Sequence, residues 1–421
     1  MNKTFYIKTY GCAMNYADSN DIRKLLLKYV LKETNDWRKA DIIILVTCSI
    51  RQQAEDKVSG WGIKTRENNF KDKTVVLTGC MAHRYNRLNN NTSNKYEKQL
   101  LEKFPWITYI INIKDIKKLP NILKLQGNDL INTPNVNYKQ NNIYQGLFST
   151  SHGCNNFCSY CIVPYSRGEL INYPKEPILN DIKSFVENGG KIVTLLGQNV
   201  NSWEEDDKNF VDLLKEVESI EGKFWINFLS SHPKDFSDEL IDLITTHDKF
   251  LKHCNIAVQS GSNRILQLMN RQYKAERFVN ICKKIKDRSP NFRITTDSIV
   301  GFPTETESEF EETNNLLKEC DIEMVYIGKY SPRKGTASSK LKDGIDLETK
   351  KRREKALRET INCIRIKKHR QLVGKTLPIL MIKPKKGISY YNHEIITEDI
   401  YKPGQIYNLK VKDFSKSGLK C

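Results

Sequence analysis

Residues 148–168 read Phe148-Ser-Thr-Ser-His-Gly-Cys-Asn-Asn-Phe-Cys-Ser-Tyr-Cys-Ile-Val-Pro-Tyr-Ser-Arg-Gly168 and hold three thiols, Cys154, Cys158 and Cys161, in a C-x3-C-x2-C spacing. A strand-like run over residues 143–150 leads into them, so the thiols fall on a loop leaving a strand. Such a loop can wrap one small inorganic centre. Iron-sulfur clusters usually take four thiolates, so three would leave one iron open to another ligand. A disulfide framework suits poorly a chain of eleven cysteines, an odd number, with nothing that marks it as secreted. Zinc stays open as a rival, because His152 lies two residues upstream of Cys154 and completes a Cys3His set. Structural zinc usually takes its ligands as two separated pairs, whereas one tight loop with Tyr160 before the last thiol suits a cluster.

A chain of 421 residues is long enough for two or three domains with real cores. The first ten residues lack an apolar signal segment, and no apolar run approaches the roughly 18 residues of a membrane span, so a cytoplasmic protein is expected. Free thiols there are metal ligands or small buried groups rather than bridges. The formal net charge is +18, and residues 341–421 carry 20 Lys plus Arg against 9 Asp plus Glu, so 11 of those charges fall in the last fifth. A basic face concentrated in this way attracts phosphate and points to nucleic acid; a lysine-rich composition alone explains abundance but less well clustering.

Outward from the loop, the first third repeats one pattern. Strand-like runs at residues 4–9, 41–47 and 74–78 lead to Cys12, Cys48 and Cys80, and helix-like segments carrying Ile22, Leu25 and Leu26, then Ala54, Val58 and Trp61 over about residues 50–66, lie between. The run Asp41-Ile-Ile-Ile-Leu-Val-Thr47 is apolar throughout, as a strand buried on both faces should be. A βαβαβ order predicts a parallel sheet, which gathers the residues after its strands at one edge. Cys12, Cys48 and Cys80 are therefore expected together. A helix is expected over about residues 95–104 and a mobile loop over 89–94.

From residue 143 to about 330 six strand candidates recur with helices between them, at 143–150, 191–197, 224–230, 255–259, 292–300 and 324–330. Six βα repeats fall short of a closed eight-stranded barrel and predict an open, partial (β/α)6 barrel with its function at the carboxyl ends of the strands. Those ends carry Gly197-Gln-Asn-Val-Asn-Ser-Trp203, Ser230-Ser-His-Pro-Lys234, Gln259-Ser-Gly-Ser262 and Asp297-Ser-Ile-Val-Gly-Phe-Pro-Thr-Glu305, whose glycines, amides and hydroxyls can hold an amino acid and a ribose. His232 by itself is more often structural than catalytic. Residues 347–369 are expected as a long helix with Leu357, Ile361 and Ile364 inward and Lys351, Arg352, Arg353, Arg358, Lys367, Lys368 and Arg370 largely outward, followed by a small β-barrel with strands at 377–382 and 405–412. The expected α/β architecture is thus an N-terminal parallel-sheet domain over 1–140, a partial barrel over 141–371 and a short C-terminal β-barrel over 372–421.

The loop resembles the signature of the radical S-adenosylmethionine (SAM) enzymes. Together with Thr9-Tyr-Gly-Cys-Ala-Met-Asn15, Thr47-Cys-Ser-Ile-Arg51, Gly79-Cys-Met-Ala82, Leu196-Gly-Gln-Asn-Val-Asn-Ser202, Ser231-His-Pro-Lys-Asp-Phe-Ser-Asp-Glu-Leu240 and Val258-Gln-Ser-Gly-Ser-Asn263, it makes the chain similar to the radical SAM methylthiotransferases. Within them it most resembles the branch that methylthiolates C2 of N6-(dimethylallyl)adenosine next to the tRNA anticodon. That resemblance implies two [4Fe-4S] clusters, one on Cys12, Cys48 and Cys80 and one on Cys154, Cys158 and Cys161. It implies two SAM molecules, one a methyl donor and one the source of a 5′-deoxyadenosyl radical, with Tyr160, Gly197, Gln198, Asn199, Ser231, Gln259 and Gly301 toward SAM. A prenylated tRNA partner, a reducing donor such as flavodoxin or ferredoxin, a monomer and an RNA-binding TRAM tail are implied as well. Ala13, Val46 and Thr304 depart from the family's usual Gln, Asn and Gly. The rivals are a sister branch acting on threonylcarbamoyl-adenosine or a ribosomal protein, and a zinc-bearing RNA-binding module without catalysis; Met14-Asn15, Ser49-Ile-Arg51 and Asn199-Val-Asn-Ser202 favour the prenyl-adenosine branch.

Overall fold

The computed structural model describes residues 3–29, 31–48, 52–62, 72–82, 93–125, 143–415 and 418–421, and no helix among them is long and apolar enough to cross a membrane. The chain forms two compact units: residues 1–138 with 152–155 and 161–171, and residues 139–151 with 156–160 and 172–421.

The first unit is built on a parallel sheet. Its strands β1 (Thr4–Tyr10), β2 (Lys32–Glu33), β3 (Ile42–Thr47), β4 (Thr74–Gly79) and β5 (Tyr109–Ile110) lie in the order β2-β1-β3-β4-β5. Helix α1 (Ala13–Lys28) follows β1, α2 (Gln52–Ser59) follows β3 and α3 (Ser93–Lys103) follows β4. The unbroken apolar run of β3 is explained by its alternation. Ile42, Ile44 and Val46 pack on one face with Phe5, Ile22, Leu26 and Val76, while Ile43 and Leu45 pack on the other with Val58, Trp61, Leu77 and Phe104. Residues 50, 51 and 63–66 of the second expected helix, and residues 89–92 of the expected loop, lie outside the described residues.

In the second unit the strands β6 (Gln145–Ser149), β7 (Ile192–Leu196) and β8 (Trp225–Leu229) pair in parallel, as do β9 (His253–Asn255), β10 (Arg293–Val300) and β11 (Met324–Lys329). Single parallel bridges, Ile226 to Phe250 and Ser231 to Ile256, join the two triplets into one six-stranded arc, the open partial barrel that the sequence predicts. Outer helices are capped in the expected manner: Asn209 with Asp212 closes a capping box on α4 (Phe210–Ser219), and Thr306 with Glu309 does so on α5 (Glu307–Glu319).

Two expectations are corrected. The fourth strand is His253–Asn255 rather than residues 255–259, because Gln259 has a φ of +69° and the chain between is held only by isolated bridges. Arg353 faces inward on the long helix α6 (Leu347–Leu372), 4% exposed, with Nη1 2.7 Å from Glu305 Oε2 and Nη2 3.0 Å from Glu307 Oε2. Two acids outside the helix override its surface-like spacing.

After α6, strands β12 (Thr376–Lys383), β13 (Lys386–Ser389), β14 (Glu394–Ile396), β15 (Ile406–Lys410), β16 (Asp413–Phe414) and β17 (Leu419–Lys420) form a sheet in the order β15-β12-β13-β14-β17-β16. It curls around Leu377, Ile379, Met381, Ile395, Val411 and Leu419, as a small barrel does. Its Leu380 packs on Ile192, Trp225 and Leu251 of the larger barrel. A buried polar group ties the same elements: Glu323 Oε1 accepts from Arg293 Nε at 2.5 Å and lies 2.9 Å from His393 Nε2, with the His369 ring edge-on to His393 at 5.3 Å. The Glu323, His369 and His393 donor atoms lie within 4.8 Å of one another, yet Arg293 already neutralises the carboxylate, so the group acts as a brace.

Candidate cluster and cofactor sites

In the first unit, strand register delivers three thiols to one edge. Tyr10 pairs with Thr47 and Thr47 with Gly79, so Cys12, Cys48 and Cys80 follow the carboxyl ends of three adjacent parallel strands. Gly79 has a φ of +89°, and a Cβ there would lie 2.5 Å from the Thr47 carbonyl, so only glycine lets β4 end this close to β3. Cys12 caps the N-terminus of α1, where the helix dipole favours a thiolate. Burial and then the neighbouring Cys80 push its pKa up; Arg167 and the backbone N–H groups of Asn15 and Met14 oppose this.

Asn15 sits among these groups. Its Oδ1 accepts from the Cys12 N–H at 3.2 Å, and its Nδ2 donates to the Thr47 carbonyl at 3.3 Å and lies 4.0 Å from Cys80 Sγ. Arg167 Nε approaches Cys80 Sγ to 3.1 Å, while its two Nη atoms reach the two oxygens of Asp18 at 3.3 and 2.5 Å. Burial alone would lower the Arg167 pKa, but Cys80 and Asp18 outweigh it and raise it well above the ordinary value.

The cysteine loop contributes to each unit. In the first, the Cys154 N–H donates to the Gly168 carbonyl at 3.1 Å and Cys161 Sγ accepts from the Val163 N–H at 3.4 Å; His152 Nδ1 lies 3.5 Å from Arg167 Nη1. In the second, Arg271 Nη1 lies 3.5 Å from Cys158 Sγ, and Ser159 is pinned to Leu268 and Met269 through its hydroxyl and N–H. Tyr160 packs against Ile265, Met269, Phe302 and Tyr330.

Inside the barrel, polar atoms are buried without partners. Among the described residues, Ser151 Oγ beyond β6, Asn199 Oδ1 beyond β7 and Ser231 Oγ beyond β8 find no hydrogen-bond partner, and such groups are costly unless a ligand satisfies them. At Gly197 a Cβ would stand 2.8 Å from Ser151 Oγ and from Val200 Cα, so the chain passes here without side-chain bulk. The neighbouring Gln198 is half-buried. Gln259 accepts from the Ile299 N–H and the Ser298 hydroxyl, and Gly301 donates to Glu305 Oε2 at 2.7 Å. Burial, the first cause, lifts the Glu305 pKa to about 7, opposed by that N–H and by Arg353. His232 accepts from the Lys234 N–H as an N-cap, and burial with Arg271 and Lys234 nearby pulls its pKa down to about 2, so it is a neutral structural histidine.

Residues 148–317 match the family model described as the Radical SAM superfamily, and residues 4–101 match the one described as Uncharacterized protein family UPF0004. The chain is 37% identical over 405 residues to a Clostridium novyi protein named tRNA-2-methylthio-N(6)-dimethylallyladenosine synthase, covering 92% of this chain and 87% of that one. Proteins of the same name from Bacillus subtilis and Thermodesulfovibrio yellowstonii are each 35% identical, covering 94% and 99% of this chain and 78% and 98% of theirs. The chain belongs to this synthase family. Among solved structures, the radical SAM methyltransferase TsrM from Kitasatospora setae superposes with a TM-score of 0.56 at 12% identity over 80% of this chain and 77% of its own, a likeness of fold alone.

Membership makes this synthase-family chain a radical SAM enzyme, and its superfamily implies SAM and a [4Fe-4S] cluster. The orphaned Ser151, Asn199 and Ser231 atoms fit a bound polar ligand such as SAM. Sequence reasoning missed Asp18, Arg167 and Arg271. Arg167 had a signal, being the one Lys, Arg, Asp or Glu in residues 148–168; Asp18 had none, since only the fold carries it to Arg167.

Proposed function

We propose that this chain methylthiolates C2 of N6-(dimethylallyl)adenosine beside the tRNA anticodon, using two [4Fe-4S] clusters held by separate thiol triads. The observation that carries the reading is the placement of Cys12, Cys48 and Cys80 at three adjacent parallel strand ends, a second thiol set beyond the one in the radical SAM loop. Cys12, Cys48 and Cys80 hold one cluster; Cys154, Cys158 and Cys161 hold the other with one iron left for SAM. When bound, the clusters and SAM supply the electron, the hydrogen abstraction, the sulfur and the methyl group.

The chain's own residues bind and exclude water. Ser151, Asn199 and Ser231 offer unsatisfied polar atoms to SAM. Gln198, Gln259 and Gly301 follow β7, β9 and β10, and Tyr160, with Met269 and Phe302, supplies an apolar wall suited to an adenine. The exposed cations of α6 and the curled sheet, among them Lys351, Arg358, Lys383 and Lys402, suit phosphates. An anticodon-loop base is single-stranded and can be splayed out and read on its edges.

A prenyl group is close to a leucine side chain in size, so its burial is worth about 2–3 kcal/mol, or roughly 30- to 150-fold. Mass spectrometry of prenylated and unprenylated anticodon stem-loops after reaction should show that preference in product yield. Equal yields, or a modified ribosomal protein instead, would move the chain to a sister branch.

A further inference from the structure

We infer that Arg167 is a positioning residue of the Cys12, Cys48 and Cys80 site, raising the reduction potential of its cluster through a hydrogen bond to the Cys80 sulfur. The inference deepens the function proposed above and rests on that cluster reading. Arg167 Nε lies 3.1 Å from Cys80 Sγ, and both Nη atoms engage Asp18, so the planar guanidinium is held at two edges with its third donor aimed at the sulfur. An ion pair serving the fold alone would need only the Asp18 side. The group is 1% exposed, so water does not screen the interaction.

Hydrogen bonds to cluster sulfurs are among the factors that set iron-sulfur potentials. A donor on a thiolate stabilises the reduced, more negative cluster, so it moves the potential upward. Asp18 balances the cation without touching the sulfur, which leaves the oriented N–H as the tuning element. Chain position adds a consequence. Arg167 lies six residues after Cys161, so the segment that supplies a thiol to the radical SAM loop also fixes the electronics of the other site. Nothing in the C-x3-C-x2-C spacing requires that link.

The test uses full-length chain with Cys154, Cys158 and Cys161 all replaced by Ala, so that a single cluster is present, followed by a potentiometric titration read by electron paramagnetic resonance. About four irons per chain in this parent establishes the cluster itself; a parent without iron would overturn both the reading and the inference. With four irons kept, Arg167→Gln should shift the midpoint to a more negative potential, and Arg167→Lys should recover part of the shift. An unchanged midpoint in Arg167→Gln would overturn the inference while leaving the cluster reading intact. Should Arg167→Gln fail to assemble a cluster, Arg167→Lys decides: a midpoint below the parent supports the inference, and the parent's own midpoint overturns it.

Discussion

Cys12, Cys48 and Cys80 reach one edge from three separate strands, whereas Cys154, Cys158 and Cys161 share a single short loop. The first set exists only while β1, β3 and β4 keep their register; the second is brought together by chain connectivity. A strand-end site can therefore be dismantled by backbone changes that touch no thiol, and a loop site is broken chiefly at its own ligands. Both sets carry an arginine close to one sulfur, Arg167 at Cys80 and Arg271 at Cys158, although the loops and strands that position them are unrelated. Buried thiolates need a compensating donor whichever way they are assembled.

The largest expected effect comes from the loop. Cys158→Ala should abolish 5′-deoxyadenosine formation, assayed by chromatography after reduction with SAM, while about four irons remain per chain on the strand-end set. Loss of all iron would show that the two sets are not independent. A smaller break goes through the backbone. Gly79→Ala forces a side chain into a left-handed conformation at about 1–2 kcal/mol and drives its Cβ onto the Thr47 carbonyl that Asn15 also contacts. Iron should fall by about half while SAM cleavage persists; full iron content would mean that the strand-end geometry tolerates slippage.

The smallest effect sharpens the comparison by touching neither set. Replacing exposed Lys383, Lys385 and Lys402 with Ala should weaken tRNA binding and lower the slope of log K against log salt by about 2–3, with iron content unchanged. An unaltered slope would place the phosphate contacts elsewhere. Deleting the curled sheet is a poorer test, because Leu380 covers Ile192, Trp225 and Leu251 of the barrel.

The strand-end set was legible because β-branched runs such as Ile42 to Thr47 announce a buried parallel strand, and topology does the rest. The six-strand arc was legible for the same reason, apart from β9. There His253 and Asn255 are polar yet buried, satisfied by Asn227, Thr295 and Asp297 from neighbouring strands, so their pattern hid the strand. Arg353 escaped in the same way, since its burial depends on Glu305 and Glu307, which no helical spacing reveals. Arg167 shows the limit most plainly: its partners Asp18 and Cys80 lie far away in the chain and meet it only in the folded unit. Apolar periodicity reports what water excludes, and it says little about which buried charges find one another.

The division of labour between the two thiol sets is tested most directly by replacing Cys12, Cys48 and Cys80 together with Ala in the full-length chain. Iron, 5′-deoxyadenosine and methylthio product would be measured on the same anaerobic preparation. About four irons per chain, measurable 5′-deoxyadenosine and no methylthio product is the expected result; two clusters retained, or methylthio product still formed, would contradict it.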